Sequence, residues 1–98
     1  MLTKKYTKDK KSCKVTFSLS DEVGAESVTI QGDFTNWEEA PKKMRRYKDG
    51  YFKISINLEA GRRYCFRYQL DGERWENDWE ADGYVRNDFG TEDSIVEV

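Results

Sequence analysis

Apolar and polar side chains alternate with a period of two along most of this chain. The clearest runs are 13–19, 52–58 and 64–70, in which every second residue is apolar. Successive side chains of a β-strand point to opposite faces, so this period is typical of strands that bury one face and expose the other. No window of a dozen residues carries the 3.6-residue period of an amphipathic helix. The pattern therefore predicts an all-β fold of about six to eight short strands.

Glycine-containing turn signals separate the predicted strands. Asp49-Gly50 and Asp71-Gly72 are favoured type I′ hairpin pairs, because both central residues of that turn need positive φ. Glu59-Ala60-Gly61 fits a short hairpin loop, and Ile95-Val96-Glu97-Val98 predicts a last strand. The segment 37–47 has room for one helical turn at most. Strands and turns at this density in 98 residues predict a β-sandwich.

The charge is distributed so that one end of the chain is basic while the whole is nearly balanced. We assign residues 12–98 to a single β-sandwich domain and residues 1–11 to a basic N-terminal segment, either frayed or forming an edge strand. A nucleic-acid-binding arm is the less favoured alternative for this segment.

The net charge is −2, which gives no broad attraction to nucleic acid or to anionic lipid, so we expect neither a nucleic-acid partner nor a membrane partner. The start has no hydrophobic signal-peptide stretch, and we expect a cytoplasmic location.

The residue types argue against catalysis. The chain has no histidine, so the usual acid or base near neutral pH is missing and a serine or cysteine nucleophile would lack its base. Two of the 19 carboxylates could act as in glycosidases, but a domain of this size rarely forms the deep cleft that shifts a carboxyl pKa. We therefore expect no catalytic residue and no enzyme activity of this chain alone.

Metal binding and disulfide bonding are also poorly supported. Cys13 is in phase with the apolar residues of its run and Cys65 is out of phase with its own. Two thiols without a histidine do not make a structural zinc site. The segment 78–83 resembles the first half of an EF-hand loop, but the twelfth position is Phe89 instead of a bidentate glutamate. We expect two free thiols, no metal ion and no cofactor.

Two tryptophans lie just past turns instead of on the alternating faces. Trp37 closes the segment 29–37, and Trp75 follows the Asp71-Gly72 turn. An indole offers a flat apolar surface to the C–H face of a pyranose, and surrounding polar groups can bond the sugar hydroxyls. The placement favours sugar binding. The alternative from the residues alone is that both indoles cap the ends of the core.

Five segments, in this order along the chain, resemble carbohydrate-binding module family 48. They are Gly32–Trp37, Asp49–Phe52, Ala60–Tyr68, Leu70–Gly72 with Trp75, and Asn87–Thr91 with Ser94–Val96. The resemblance covers residues 13–98, and the family includes the glycogen-binding domain of AMP-activated kinase β subunits and the early-set domains of isoamylases and glycogen-branching enzymes. It implies an immunoglobulin-like early-set β-sandwich, of a kind often fused to glycoside hydrolases.

The resemblance also implies the residues of a carbohydrate-binding site. Trp37 and Trp75 match tryptophans that stack on an α-glucan. Arg67 takes the place of a lysine that bonds sugar hydroxyls, and its parity points away from the apolar face of its strand. We expect these three side chains to be exposed together.

Three further positions align with the site of that family, and two other features of the chain depart from its pattern. Phe89 matches a residue that packs on the sugar, Thr91 matches a threonine, and Asp93 replaces an asparagine. Two residues instead of one separate Trp75 from its turn, and Trp79 stands where kinase-type domains tend to have proline. The second half of the site therefore departs from the family pattern more than the first half does.

The sequence as a whole predicts a small stand-alone bacterial module that binds α-1,4-glucan, as oligosaccharide or polysaccharide, by aromatic stacking. Glycogen, starch and maltodextrin are the expected glucans. The alternative is a protein-interaction or regulatory module of glucan metabolism that has lost sugar binding. Its partner would be a glucan-metabolising enzyme or, in a weak homodimer, a second copy of the chain.

Overall fold

Two antiparallel β-sheets enclose one core in the computed structural model, which describes all of residues 1–98. The strands are β1 (Leu2–Tyr6), β2 (Ser12–Leu19), β3 (Val28–Gly32), β4 (Lys42–Lys43), β5 (Arg45–Arg46), β6 (Phe52–Glu59), β7 (Arg63–Leu70), β8 (Arg74–Glu76), β9 (Gly83–Arg86) and β10 (Glu92–Glu97). The first sheet has the order β1-β2-β6-β5 and the second the order β4-β3-β7-β10-β9. Strand β8 pairs with the end of β7 that β10 does not reach. The predicted all-β sandwich is confirmed, and eight of the ten strands are three residues or longer.

The remaining regular structure consists of three short 3-10 turns. They span Asp21–Val23, Asp33–Thr35 and Trp37–Glu39. The last of these is the single helical turn that the sequence allowed within segment 37–47. No helix in the structure has the length and apolar character needed to cross a bilayer.

A cluster of 16 buried residues forms the core between the sheets. Ten of its members come from the apolar positions of the alternating runs, including Phe17, Phe52 and Phe66. Phe66 packs edge-on against Phe17 with ring centroids 5.0 Å apart. Cys13 is fully buried here, as its phase predicted, and both cysteines are free thiols. Burial of each large apolar side chain contributes about 1.5–3 kcal/mol, so the alternation that makes the strands also supplies the stability of the sandwich.

The two Asp-Gly turns differ in type. Asp71 and Gly72 have φ of 53° and 71°, as the predicted type I′ turn between β7 and β8 requires. At Asp49-Gly50 the prediction of type I′ is wrong, because only Gly50 has a positive φ, at 89°. The Tyr47 N–H donates to the Tyr51 carbonyl across a three-residue loop, in which a single left-handed glycine suffices.

The segment Glu59-Ala60-Gly61 does not form the expected hairpin, because it joins two different sheets. Strand β6 has β2 along one side, and on its other side β5 covers only Phe52 and Lys53. The connection crosses instead to the second sheet, with the Ala60 N–H donating to the Lys11 carbonyl and the Gly61 N–H to the Val98 carbonyl. At the opposite edge of the first sheet, residues 2–6 pair with β2 as an antiparallel strand.

The segment that resembles the start of a calcium loop is anchored by a buried carboxylate. Asp78 is fully buried, and its Oδ2 accepts hydrogen bonds from the Tyr68 hydroxyl at 2.7 Å and the Met1 amino group at 2.6 Å. Its Oδ1 accepts from the Glu80 N–H at 2.8 Å. Burial, and then the charge of Asp78, raise the pKa of Tyr68 well above 10, so this hydroxyl remains a donor. The carboxylate thus holds the loop before β9, a strand that the alternation did not predict.

Candidate functional site

A cleft of about 570 Å³ brings the two turn-borne tryptophans together. Trp37, Trp75 and Phe89 line it, together with the polar side chains of Arg67 and Asp93. Five of the six residues that the resemblance implied are thus gathered on one surface. The sixth, Thr91, lies beside the cleft, where its hydroxyl contacts the Arg67 guanidinium. The volume is within the range of small-molecule sites, about 300–1,000 Å³.

Trp37 is presented by a strained turn. Asn36 and Trp37 have φ of 51° and 55°, in the left-handed region that a bulky residue rarely occupies. The Thr35 hydroxyl lies within hydrogen-bonding distance of the carbonyls of both Gly32 and Trp37, at 3.1 and 3.0 Å. Phe34 anchors the same turn in the core, with its ring centroid 5.6 Å from that of Phe17. Such strain, about 1–3 kcal/mol per residue, persists only where the surroundings impose it, and it clusters at functional sites.

Asp33 links this turn to the second sheet. Its Oδ2 accepts a hydrogen bond from the Cys65 N–H at 2.8 Å, and its Oδ1 accepts one from the Trp37 indole N–H at 3.3 Å. Gly32 allows the turn to approach β7 this closely, since a Cβ there would lie 2.4 Å from the Cys65 carbonyl oxygen. The half-buried Trp37 indole is therefore fixed relative to β7 by one carboxylate.

Trp75 is positioned by the type I′ hairpin and by a stacked cation. It lies opposite Gln69 in the β7–β8 pair, which makes Arg67 its diagonal neighbour. The guanidinium carbon of Arg67 is 4.6 Å from the centroid of the indole ring. The indole is still 42% exposed, so the guanidinium holds Trp75 without burying it.

Arg67 is more enclosed than its predicted role as a surface donor required. Its side chain is 17% exposed, and its Nε lies 3.2 Å from Asp93 Oδ1. The angle of this ion pair leaves the Nε–H without a hydrogen-bond acceptor. A long contact of 3.5 Å joins Nη1 to the Thr91 hydroxyl. The guanidinium thus lies between a carboxylate and an aromatic ring, an arrangement that fixes its position.

Asn87 organises the loop that carries Phe89, although sequence reasoning did not assign it to the site. Its Oδ1 accepts hydrogen bonds from the N–H groups of Phe89 and Thr91. Its Nδ2 donates to the Thr91 hydroxyl at 2.8 Å and to Asp93 Oδ1 at 3.1 Å. Thr91 and Asp93 are therefore engaged by the chain itself, whereas the Phe89 ring is 89% exposed. An Asn-Asp-Phe-Gly stretch between predicted strands is a turn signal that could have identified this side chain.

The cleft has an acidic surround and no activated nucleophile. Partial burial, and then the charges of Asp33 and Asp93, raise the pKa of the Cys65 thiol. Cys65 lines the cleft but remains a thiol at neutral pH. The residues present can stack on a ring and exchange hydrogen bonds with it, which is the chemistry of recognition.

Trp79 is the third tryptophan and lies outside this cleft. It is 54% exposed, and its indole N–H donates to Glu76 Oε1 at 3.4 Å. It lines a separate concavity beside Tyr51. Trp79 is therefore an exposed indole of the same domain that does not line the cleft.

One family model matches this chain, over residues 14–98. The family is described as the glycogen recognition site of AMP-activated protein kinase. None of the curated proteins matches the chain. The matched range includes the whole of the cleft, from Asp33 to Asp93.

Proposed function

The chain belongs to the family of glycogen recognition sites of AMP-activated protein kinase, and on this premise we propose that it is a non-catalytic module that binds α-1,4-glucan in the aromatic cleft. The observation that supports the proposal most directly is the meeting of Trp37, Trp75 and Phe89 on one concave surface. Apolar rings with a few polar groups between them are the usual composition of a sugar site.

The indoles supply most of the binding free energy in this proposal. Each stacked pyranose removes about 50–80 Å² of apolar surface from water, which is worth about 1–2 kcal/mol. Arg67 covers one face of Trp75, so the sugar stacks on the other face. Because the indole is already held by the guanidinium, little side-chain entropy is lost when the sugar binds.

Polar groups at the rim bond the sugar hydroxyls. The Asn36 amide lines the cleft and caps no backbone group, so its donors and acceptor can turn to a ligand. Glu38 and Asp88 line the cleft as exposed acceptors. Thr91 and Asp93 act chiefly by holding Arg67 and the Phe89 loop, since their oxygens already have partners.

The affinity that follows is modest. Two stacked rings and a few hydrogen bonds, less the cost of association, give a dissociation constant of about 10 μM to 1 mM. Longer glucans that contact both indoles bind more tightly than maltose, because each indole contributes separately.

The test is calorimetric titration with maltoheptaose and β-cyclodextrin, which does not depend on tryptophan as the reporter. Trp37→Ala and Trp75→Ala are expected to abolish saturable binding while the circular dichroism of the sandwich persists. Trp79→Ala is the matched control, since it removes an equally large exposed indole outside the cleft. Cellohexaose, with β-1,4 linkages, is the matched ligand control.

Two outcomes would contradict the proposal. One is the absence of saturable binding by the unaltered chain at millimolar maltoheptaose. The other is an equal loss of binding in Trp79→Ala. A protein partner that Trp37→Ala releases and excess maltodextrin does not displace would favour the alternative of an interaction module without sugar binding.

A further inference from the structure

Positive charge is concentrated along one edge of the sandwich. Residues 42–53 contain six cations and one carboxylate, a net charge of +5, whereas the other 86 residues contain 11 cations and 18 carboxylates, a net charge of −7. We call the six cationic side chains the basic edge: Lys42, Lys43, Arg45, Arg46, Lys48 and Lys53. Repulsion among them disfavours the folded state, and their field attracts anions.

Little within the chain neutralises the basic edge. Lys53 alone has a carboxylate within ion-pair distance, Asp49 at 3.8 Å. Arg45 and Lys53 face each other across β5 and β6, a like-charge pair that destabilises the sheet. Both lie over the Tyr47 ring, at 5.4 and 5.2 Å from its centroid. The ring holds the cations in place without cancelling their charge, so the pair is arranged to meet an anion.

The basic edge also coincides with an open strand edge. Strand β5 ends the first sheet and β4 ends the second. Between them the buried Met44 donates its N–H to the Val28 carbonyl, which holds the two edges side by side. The Tyr47 N–H donates to the Tyr51 carbonyl across the β5–β6 ladder, so the alternation of antiparallel bonds turns the N–H and C=O of Arg46 away from β6. Such an edge is a template for another extended chain.

We propose that the basic edge binds an extended acidic peptide segment of a partner protein. The peptide backbone pairs with the free N–H and C=O of Arg46, and the carboxylate of a flanking peptide residue lies on the outer face of the sheet, where Arg45 and Lys53 form their cross-strand pair. Arginine can bind a carboxylate through two parallel hydrogen bonds, which adds geometric selectivity to the charge.

The distribution of charge selects a short peptide over other anions. Five or six extended residues span about 17–20 Å. That length fits within a molecule of 38 × 36 × 24 Å. A long nucleic acid strand or an anionic membrane extends more than a screening length of about 8 Å beyond the basic edge. There it approaches the rest of the chain, whose net charge is −7. A short acidic segment meets the cations without meeting that repulsion.

This surface is separate from the aromatic cleft. Arg45 and Arg46 line two grooves of about 470 and 480 Å³, neither of which shares a residue with the cleft. Peptide binding and glucan binding are therefore tested independently, and the failure of one leaves the other standing.

The test is fluorescence anisotropy with a labelled peptide of about seven residues in which glutamate alternates with valine. Arg45→Glu/Lys53→Glu reverses the cross-strand cation pair and should weaken binding about tenfold or more. The matched control is Lys5→Glu/Lys14→Glu, which reverses another directly opposed cation pair in the same sheet and should change binding less than about twofold. If the first variant does not fold, Arg45→Gln/Lys53→Gln replaces it, and circular dichroism checks all variants. A peptide N-methylated at every residue, which has no N–H to donate along either edge, should bind about tenfold more weakly.

Four results would overturn the proposal. The first is no saturable peptide binding. The second is an equal loss in the Lys5/Lys14 control, which would reduce the effect to general electrostatics. The third is tighter binding, dependent on Arg45 and Lys53, to a thymidine oligonucleotide or to phosphatidylserine vesicles. The fourth is undiminished binding of the N-methylated peptide.

Discussion

The guanidinium of Arg67 lies 4.6 Å from the centroid of the Trp75 ring and is held there by Asp93, whose Oδ1 is 3.2 Å from Nε. Trp75 is therefore oriented by the protein before any ligand arrives. A ring fixed in this way binds a flat partner with little loss of side-chain entropy. The finding changes the role of Arg67 from the exposed donor suggested by resemblance to that of a positioning side chain.

Arg67→Lys should weaken glucan binding about three- to tenfold, because lysine keeps the charge but lacks the planar surface that stacks on Trp75. The free energy of unfolding should fall by less than about 1 kcal/mol. Calorimetry with maltoheptaose and urea unfolding measure the two quantities. Arg74→Lys, an exposed arginine of the same hairpin, is the control. Unchanged affinity in Arg67→Lys would show that the stack does not matter for binding.

Asp93→Asn distinguishes a structural role from direct sugar contact. The substitution leaves the Arg67 guanidinium without its carboxylate, and these side chains are only 17% and 11% exposed. We expect the free energy of unfolding to fall by about 1–3 kcal/mol. Affinity should fall no more than in Arg67→Lys. A large loss of affinity with unchanged stability would instead identify Asp93 as a sugar ligand.

Gly32→Ala should unfold the domain or cost at least about 3 kcal/mol. The added Cβ would lie 2.4 Å from the Cys65 carbonyl oxygen and 2.8 Å from the Phe66 Cβ, and the strand it meets cannot move away. Gly83→Ala is the control, because its Cβ would have only one neighbour, Ile95 Cδ1 at 3.8 Å. Its effect should be below about 1 kcal/mol. Equal effects in urea unfolding would mean that the turn can shift away from β7.

Asp71 should make stability depend on pH in acid. Backbone N–H groups of Ser27 and then Glu26 bond its carboxylate and lower its pKa below the usual 3.8. The stabilisation is therefore complete above the unfolded pKa and is lost as the pH falls through the lower folded value. Asp71→Asn tolerates the positive φ but removes this dependence. Urea unfolding between about pH 7 and pH 2.5 should show wild type losing more stability than the variant.

The control for this titration is Asp88→Asn, which removes an exposed carboxylate of another turn. Its acid dependence should follow that of wild type. An acid dependence of Asp71→Asn equal to that of wild type would contradict the assignment.

Cys65 should report occupation of the cleft. It lines the cleft, whereas Cys13 is fully buried and should not react. Because burial and then Asp33 and Asp93 raise its pKa, alkylation by iodoacetamide should be slow at about pH 8 and still accelerate above about pH 9. Saturating maltoheptaose should slow the reaction, as measured by mass spectrometry. A rate unaffected by the glucan would place the sugar elsewhere.

Much of the fold could be predicted from the sequence, because period-two alternation reports directly which face of a strand is buried. Phe17, Phe52 and Phe66 are core residues by this criterion and are buried. The error at Asp49-Gly50 has a local cause, since the dipeptide fits a turn with one left-handed residue as well as a turn with two. The error at Glu59-Ala60-Gly61 is topological, because local turn chemistry does not state that β7 joins the second sheet instead of pairing with β6.

The sequence predicted which residues line the candidate site better than it predicted how they are held in place. Turn positions and resemblance indicated Trp37, Trp75 and Phe89, and these rings line one cleft. Asn87 was not assigned, although it bonds both Thr91 and Asp93. Asn87 differs from an ordinary turn residue only through the hydrogen bonds that its side-chain amide makes. The positions of its partners depend on the register of β10, which the sequence of the turn does not specify.

The sequence by itself determined the sandwich, the burial of alternating residues and the presence of aromatic rings on turns, because these follow from local chemistry with a short period. Only the tertiary structure decided that Arg67 is held between Asp93 and Trp75 and that the cations of residues 42–53 lie along an open strand edge. Both arrangements depend on which strands become neighbours, a choice made by the packing of the whole core and carried by no single segment of the chain.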